Sequence, residues 1–136
     1  VATGAWTFVS YGLDAPESPM GGWVGLSELT LLPSGEFAII ERDDRSGPAA
    51  RIKRVYKVDL AAADFKPFGQ PLTEVTKTLA ADLLDVLAAN SIWTPDKVES
   101  LAVAADGDVY VVTDNDGLDD AIGQTVFLDL GPDALG

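Results

Sequence analysis

One supersecondary unit occurs twice in this chain, and it limits the folds available more than any local motif does. The second copy is the clearer. Lys97 to Asp116, KVESLAVAADGDVYVVTDND, reads as two antiparallel strands joined by a tight turn. Glu99–Ala104 and Val109–Thr113 are largely apolar and β-branched, and Asp106-Gly107-Asp108 between them supplies the glycine that a hairpin needs for positive φ. Gly25 to Asp44, GLSELTLLPSGEFAIIERDD, repeats it at an offset of 72, Gly35 to Gly107. Leu29 then meets Leu101, Leu31 meets Val103, Ile39-Ile40 meets Val111-Val112 and Asp44 meets Asp116. Each copy is followed by a third strand with a similar ending, Val58-Asp59-Leu60 and Leu128-Asp129-Leu130.

Around the two hairpins the chain reads as further strands. Ala5–Tyr11 alternates and is rich in aromatic residues, as a strand is. Trp23–Leu32, Glu36–Arg42, Arg51–Leu60 and a short Leu72–Thr78 make a first four-stranded set. Leu79–Ala89 is the one helix the spacing predicts, with Leu79, Leu83, Val86 and Leu87 on one face. Gln124–Leu130 is the last strand.

The expected fold is therefore mainly β: two antiparallel four-stranded propeller-like blades, a partial β-propeller, with one short α-helix between them. The domain reading is a single unit over residues 1–136, with repeat one at about 23–78, the helix at about 79–90 and repeat two at about 97–130. A closed propeller needs about four to eight blades. Two blades do not close, so the chain reads as part of a longer protein or as a subunit that covers its open edges by association. Ala5–Tyr11 would be an outer strand of a preceding blade.

Composition narrows the chemistry. With 22 acidic residues against 9 basic ones and no His, the formal charge is −13. That excludes the basic footprint that nucleic acid requires, and it favours cations. Without Cys or His there is no disulfide, no thiolate zinc site and no Ser-His-Asp or Cys-His nucleophile. What remains is carboxylates, Arg, Lys, Tyr, hydroxyls or a hard metal. No apolar run approaches the length of a membrane span.

Four segments taken in order, WTFVSYGLD, GLSELTLLPSGEFAIIERD, RIKRVYKVDL and KVESLAVAADGDVYVVTDND with TVFLDL, resemble the phytase-like family known for "esterase-like activity of phytase". The resemblance runs from about Trp6 to Leu130. It implies a β-propeller-like fold, an exported bacterial protein (periplasmic or secreted), and a C-terminal position for this chain in a longer parent. It also implies a phosphoester hydrolase, with Ca²⁺ held by acids and a small-molecule phosphoester as partner. The rival reading is a non-catalytic binding or scaffold module of the cell envelope.

The candidate catalytic residues are Glu28, Glu99 and Arg42. Glu28 and Glu99 open the innermost strand of each repeat and would line a channel, binding Ca²⁺ or polarising water; otherwise they are solvated strand-start acids. Their offset is 71, one off the repeat, so they need not be equivalent. Arg42 could grip a phosphate bidentately, or sit in a salt-bridged loop. The candidate metal ligands are Asp114, Asn115 and Asp116, with Asp119 and Asp120 nearby, and Asp43 and Asp44 on the equivalent rim. Short oxygen-bearing side chains suit Ca²⁺, but they equally make Asx-turns, and the spacing is not an EF-hand. Arg51, Lys53 and Lys57 share one strand face that reads as solvated. Trp6, Trp23 and Trp93 read as core or inter-blade packing.

Overall fold

The structure is a computed structural model, and it describes residues 4–115, 117 and 124–136. The chain is mainly β, with antiparallel sheets and one α-helix. In order, the strands are β1 (Thr7–Phe8), β2 (Val24–Leu31), β3 (Phe37–Asp43), β4 (Lys53–Val58), β5 (Lys66–Pro67) and β6 (Lys77–Asp82). Helix α1 (Leu83–Ala89) comes next, followed by β7 (Lys97–Val103), β8 (Asp108–Asp114) and β9 (Phe127–Pro132). A four-stranded sheet runs β2-β3-β4-β6, a three-stranded sheet runs β7-β8-β9, and β1 pairs with β5.

Both hairpins turn where the glycines predict. Gly35 and Gly107 have φ of 90° and 97°, a region open to glycine and strained for other residues. Each hairpin also carries a bulge in its first strand. The register shifts between Leu26 and Glu28 in β2, and between Val98 and Ser100 in β7. The bulged residues are Ser27 and Glu99, 72 positions apart. A bulge bends its strand and re-aims side chains, so Glu99 corresponds in place to Ser27, and Glu28 to Ser100.

The two sheets pack on each other through one face of each. Ala38, Ile40 and Val55 from the first sheet meet Val98, Leu101, Val109 and Val111 from the second, with Leu32, Leu83 and Leu135 completing the core. Ile40, Val55 and Val111 are fully buried. Burying such a side chain stabilises by about 1.5–3 kcal/mol. The edge strands β2 and β7 are joined across the seam by Thr30 Oγ1, which donates to the Leu101 carbonyl at 2.9 Å.

Several expectations need correction. The helix begins at Leu83 rather than Leu79, because Lys77–Asp82 is taken up as the edge strand β6 beside β4. Asp82 then caps the helix, its side chain accepting from Leu84 N. The fourth strand of the first sheet accordingly lies later than Leu72–Thr78. The second sheet has three strands among the described residues, not four. Ala5–Tyr11 contributes only Thr7–Phe8 as a strand and pairs within this chain, to Phe8↔Lys66 and through a parallel bridge Ser10↔Glu74. The tryptophans are not core: Trp6, Trp23 and Trp93 are 76%, 52% and 50% exposed. Lys53 is fully buried, because the strand face it shares with Val55 is the one that packs on the second sheet.

Candidate functional site

Arg42 and Glu99 come together. Strand β3 carries Arg42 to the seam, and the β7 bulge turns Glu99 toward it. Arg42 Nη2 donates to Glu99 Oε1 at 2.9 Å. The Trp23 ring lies beneath the guanidinium, 5.4 Å from its carbon. Arg42 Nε is buried and has no hydrogen-bond partner, a state shared among the described side chains only by Ser27 Oγ. A planar guanidinium fixed on one edge by a carboxylate and on one face by an indole is pre-organised, with a donor left over. Glu28 does not join them. Its Oε1 accepts from the next residue's backbone, Leu29 N, at 2.8 Å.

The first acidic rim is built around a lysine. Lys53 Nζ donates to Asp43 Oδ1 at 2.8 Å and to the carbonyls of Asp43, Arg45 and Asp96 at 2.8, 2.9 and 2.7 Å. The other carboxylate oxygen of Asp43 accepts from Arg51 N at 2.6 Å and Ile52 N at 3.1 Å. Burial raises the Asp43 pKa, but the Lys53 ammonium and the backbone donors outweigh it and hold the carboxyl below its ordinary value. The cation in this oxygen cage is thus the chain's own ammonium. It ties the β3–β4 loop to Asp96, just ahead of β7. Asp44 lies outside the cage, where its Oδ1 accepts from Trp23 N at 3.1 Å and pairs with Arg45 Nε at 3.5 Å.

On the second rim, Asn115 Oδ1 accepts from Gly117 N at 3.1 Å, an Asx-turn. Asp114 ends β8, and Asp116, Asp119 and Asp120 lie outside the described residues. Among the described residues no three acids converge to hold a metal ion. The donors present at the Asp43 rim do not fit a Ca²⁺ ion, since both carboxylate oxygens are already engaged.

Among the described residues, the densest cluster of titratable groups lies elsewhere, on the opposite face of the first sheet. Glu41, fully buried on β3, accepts from the Tyr11 hydroxyl at 2.6 Å, from Asp14 N at 2.9 Å and from Lys77 Nζ. Lys77 Nζ also donates to Asp14 Oδ1 at 2.7 Å and sits 4.3 Å from the centre of the Tyr56 ring. Asp14 Oδ2 accepts from Tyr56 at 2.5 Å and from Arg54 at 2.9 Å, and Arg54 forks onto Glu17 at 2.8 and 3.2 Å. Burial pushes the Asp14 carboxyl up, yet the hydrogen bonds from Lys77, Tyr56 and Arg54 prevail and bring it to about 2. Burial and the Asp14 carboxylate push Tyr56 up to about 12. Every charge here has its partner, so the cluster clamps the Tyr11–Glu17 segment onto the sheet rather than offering a free base. The sequence carried one signal of it: an acid, Glu41, directly after the apolar run Phe37–Ile40, at a strand position that alternation places on the same face as Phe37 and Ile39.

Residues 1–117 match the phytase-like family described as esterase-like activity of phytase. The chain belongs to that family. No curated protein and no solved structure matches the chain. Among the described residues, no helix of this family member is long and apolar enough to cross a membrane.

Proposed function

We propose that this phytase-like chain is part of an exported phosphoester hydrolase, with the Arg42–Glu99 pair at the seam as its substrate-facing element. Membership of the family over residues 1–117 carries the reading. Three features of the pair support it. Arg42 keeps a donor without a partner, Glu99 orients the guanidinium, and Glu99 sits on β7, the strand that the propeller reading assigns to a channel, with Arg42 reaching it from β3. The matching bulges at Ser27 and Glu99 and the seam between β2 and β7 support that propeller arrangement, in which neighbouring blades meet along their innermost strands.

In this role Arg42 binds and neutralises a phosphoryl oxygen, and Glu99 holds the guanidinium plane. Ca²⁺ is proposed only for the rim after β8, at Asp114, Asn115 and Asp116, and no step of the chemistry is drawn through it. Phosphate release from a phosphomonoester tests the reading. Loss of activity in Arg42→Ala with the fold retained supports it; absence of turnover in the unaltered chain refutes it. The second reading, a non-catalytic binding module of the envelope, is favoured by two observations. Glu99 neutralises Arg42, and no three acids converge beside them among the described residues.

A further inference from the structure

The interface between the two sheets has two halves. One is the face of the second sheet that carries Val98, Leu101 and Val111; the other is the face of the first that carries Ala38, Ile40 and Val55. Strand β7 lies against β2 and β3 to make the contact. The repeat places a counterpart of each half 72 positions away, on the outer face of the other sheet. Leu26, Leu29 and Leu31 of β2 correspond to Val98, Leu101 and Val103, and they are 52%, 56% and 62% exposed. Tyr110, Val112 and Phe127 correspond to Ala38, Ile40 and Val55. Strand pairing keeps the correspondence, since Val112 stands opposite Phe127 as Ile40 stands opposite Val55. Phe127 is 66% exposed, and its ring stacks on that of Tyr110 with 5.2 Å between centroids.

The outer face of the first sheet is open where such a contact needs it. Val9, Tyr11 and Val75 flank Ile39 and Val58, which are buried, and leave the three leucines of β2 exposed. Strand β2 is the counterpart of β7, the strand that makes the contact inside the chain. Contiguous exposed apolar patches mark interaction surfaces. The leucine patch and the aromatic patch differ, and each is the counterpart of one half of an interface already formed between the sheets. A contact between them is heterologous rather than isologous.

We propose that a second copy of this chain covers the outer face of the first sheet, laying its Tyr110, Val112 and Phe127 on Leu26, Leu29 and Leu31. The contact repeats, between copies, the packing of the two sheets within one copy. Its head-to-tail sense lets each chain donate one face and receive the other, and a heterologous contact closes into a ring when the rotation allows. At two sheets per chain, about two to four copies supply the roughly four to eight blades of a closed propeller. The observation that carries the proposal is that both halves of one observed interface are exposed on opposite outer faces of the same chain. It goes beyond the hydrolase reading and does not rest on it, since turnover plays no part in its test.

The test is sedimentation velocity of the full chain at about 100 μM, in about 0.5 M salt to screen repulsion between copies of charge −13. A discrete species of about two to four copies is expected. Leu29→Asp and Phe127→Asp change exposed positions, and each, once shown to be folded by circular dichroism, should weaken association at least about 100-fold. Mixed in equal amounts, the two variants should form a dimer and stop there. The Phe127→Asp chain keeps the leucine face and the Leu29→Asp chain keeps the aromatic face, so one contact forms and no second can. Should either variant fail to fold, Leu31→Asp or Ala102→Asp replaces it on the same face. A monomeric unaltered chain, association that either single variant leaves unchanged, or a mixture that stays monomeric overturns the proposal.

Discussion

Replacing Asp43 by Ala removes the one carboxylate in the cage around the Lys53 ammonium. Lys53 is fully buried, and among the described residues the Asp43 carboxylate is the one charged group its ammonium hydrogen-bonds; its other acceptors are backbone carbonyls. Breaking a buried pair by deleting one partner costs about 3–5 kcal/mol, because a desolvated charge is left behind. Two structural details refine that range. The carbonyls of Asp43, Arg45 and Asp96 still receive the ammonium, which lowers the cost. The amides of Arg51 and Ile52 lose their acceptor, which raises it. The expected loss is therefore about 3–4 kcal/mol, a large part of the roughly 5–15 kcal/mol that holds a domain folded. Lys53→Met should cost about 3 kcal/mol, since the carboxylate keeps its two backbone donors. The double variant should cost less than the two singles added, by about 1–3 kcal/mol. Urea unfolding followed by Trp fluorescence reads all three. At a slope of about 1–3 kcal/mol per molar, the single variants shift the midpoint by about 1–4 M. A shift of under about 0.3 M with an unchanged slope, or strict additivity in the double variant, refutes the reasoning.

Other consequences follow from the same geometry. Asp14 falls from 3.8 in the unfolded chain to about 2 when folded, so its contribution is fully present above 3.8 and is lost as pH falls through 2. After allowance for solvent screening that is about 1–2 kcal/mol, and Asp14→Asn should flatten the acid limb of a stability–pH curve between those two values. A Cβ at Gly47 would stand 2.3 Å from Trp93 Cζ2, and φ there is +51°. Gly47→Ala should therefore cost about 1–3 kcal/mol and shift the Trp emission, with Trp93→Ala relieving the clash but not the backbone strain. If the rim after β8 holds Ca²⁺, a concentration of about 100 Kd adds about 2.7 kcal/mol to stability, an effect that EDTA reverses and Asp114→Ala abolishes; a flat melting response to Ca²⁺ removes the metal from the account.

What could be read from the sequence was set by local pattern. The hairpins around Gly35 and Gly107 announce themselves through alternation and turn chemistry, and Arg42 and Glu99 could be singled out as charges at strand ends. That they form a pair, and that Glu28 stands apart, depends on a bulge, and alternation cannot show where one extra residue will be inserted. Lys77–Asp82 has a helical look because Leu79 and Leu83 are four apart, yet an edge of β4 in need of hydrogen-bond partners outweighs that local preference. The charged groups were hardest to place. Lys53 reads as a surface residue until three carbonyls and a carboxylate from separate segments surround it. The clamp of Tyr11, Asp14, Glu41, Arg54 and Lys77 is likewise assembled from distant positions, with Asp14 and its partner Lys77 63 residues apart, a distance that no periodicity reports.

The most direct test of the proposed function is the rate of phosphate release from p-nitrophenyl phosphate by the unaltered chain, Arg42→Lys and Glu99→Gln, each first shown to be folded by circular dichroism. The account predicts measurable turnover in the unaltered chain. It predicts a fall of about 100-fold in Arg42→Lys, which keeps the charge but loses the planar donor set. A smaller fall is expected in Glu99→Gln, which frees the guanidinium. No turnover, or equal turnover in all three, would contradict it and leave the non-catalytic binding module as the reading the geometry supports.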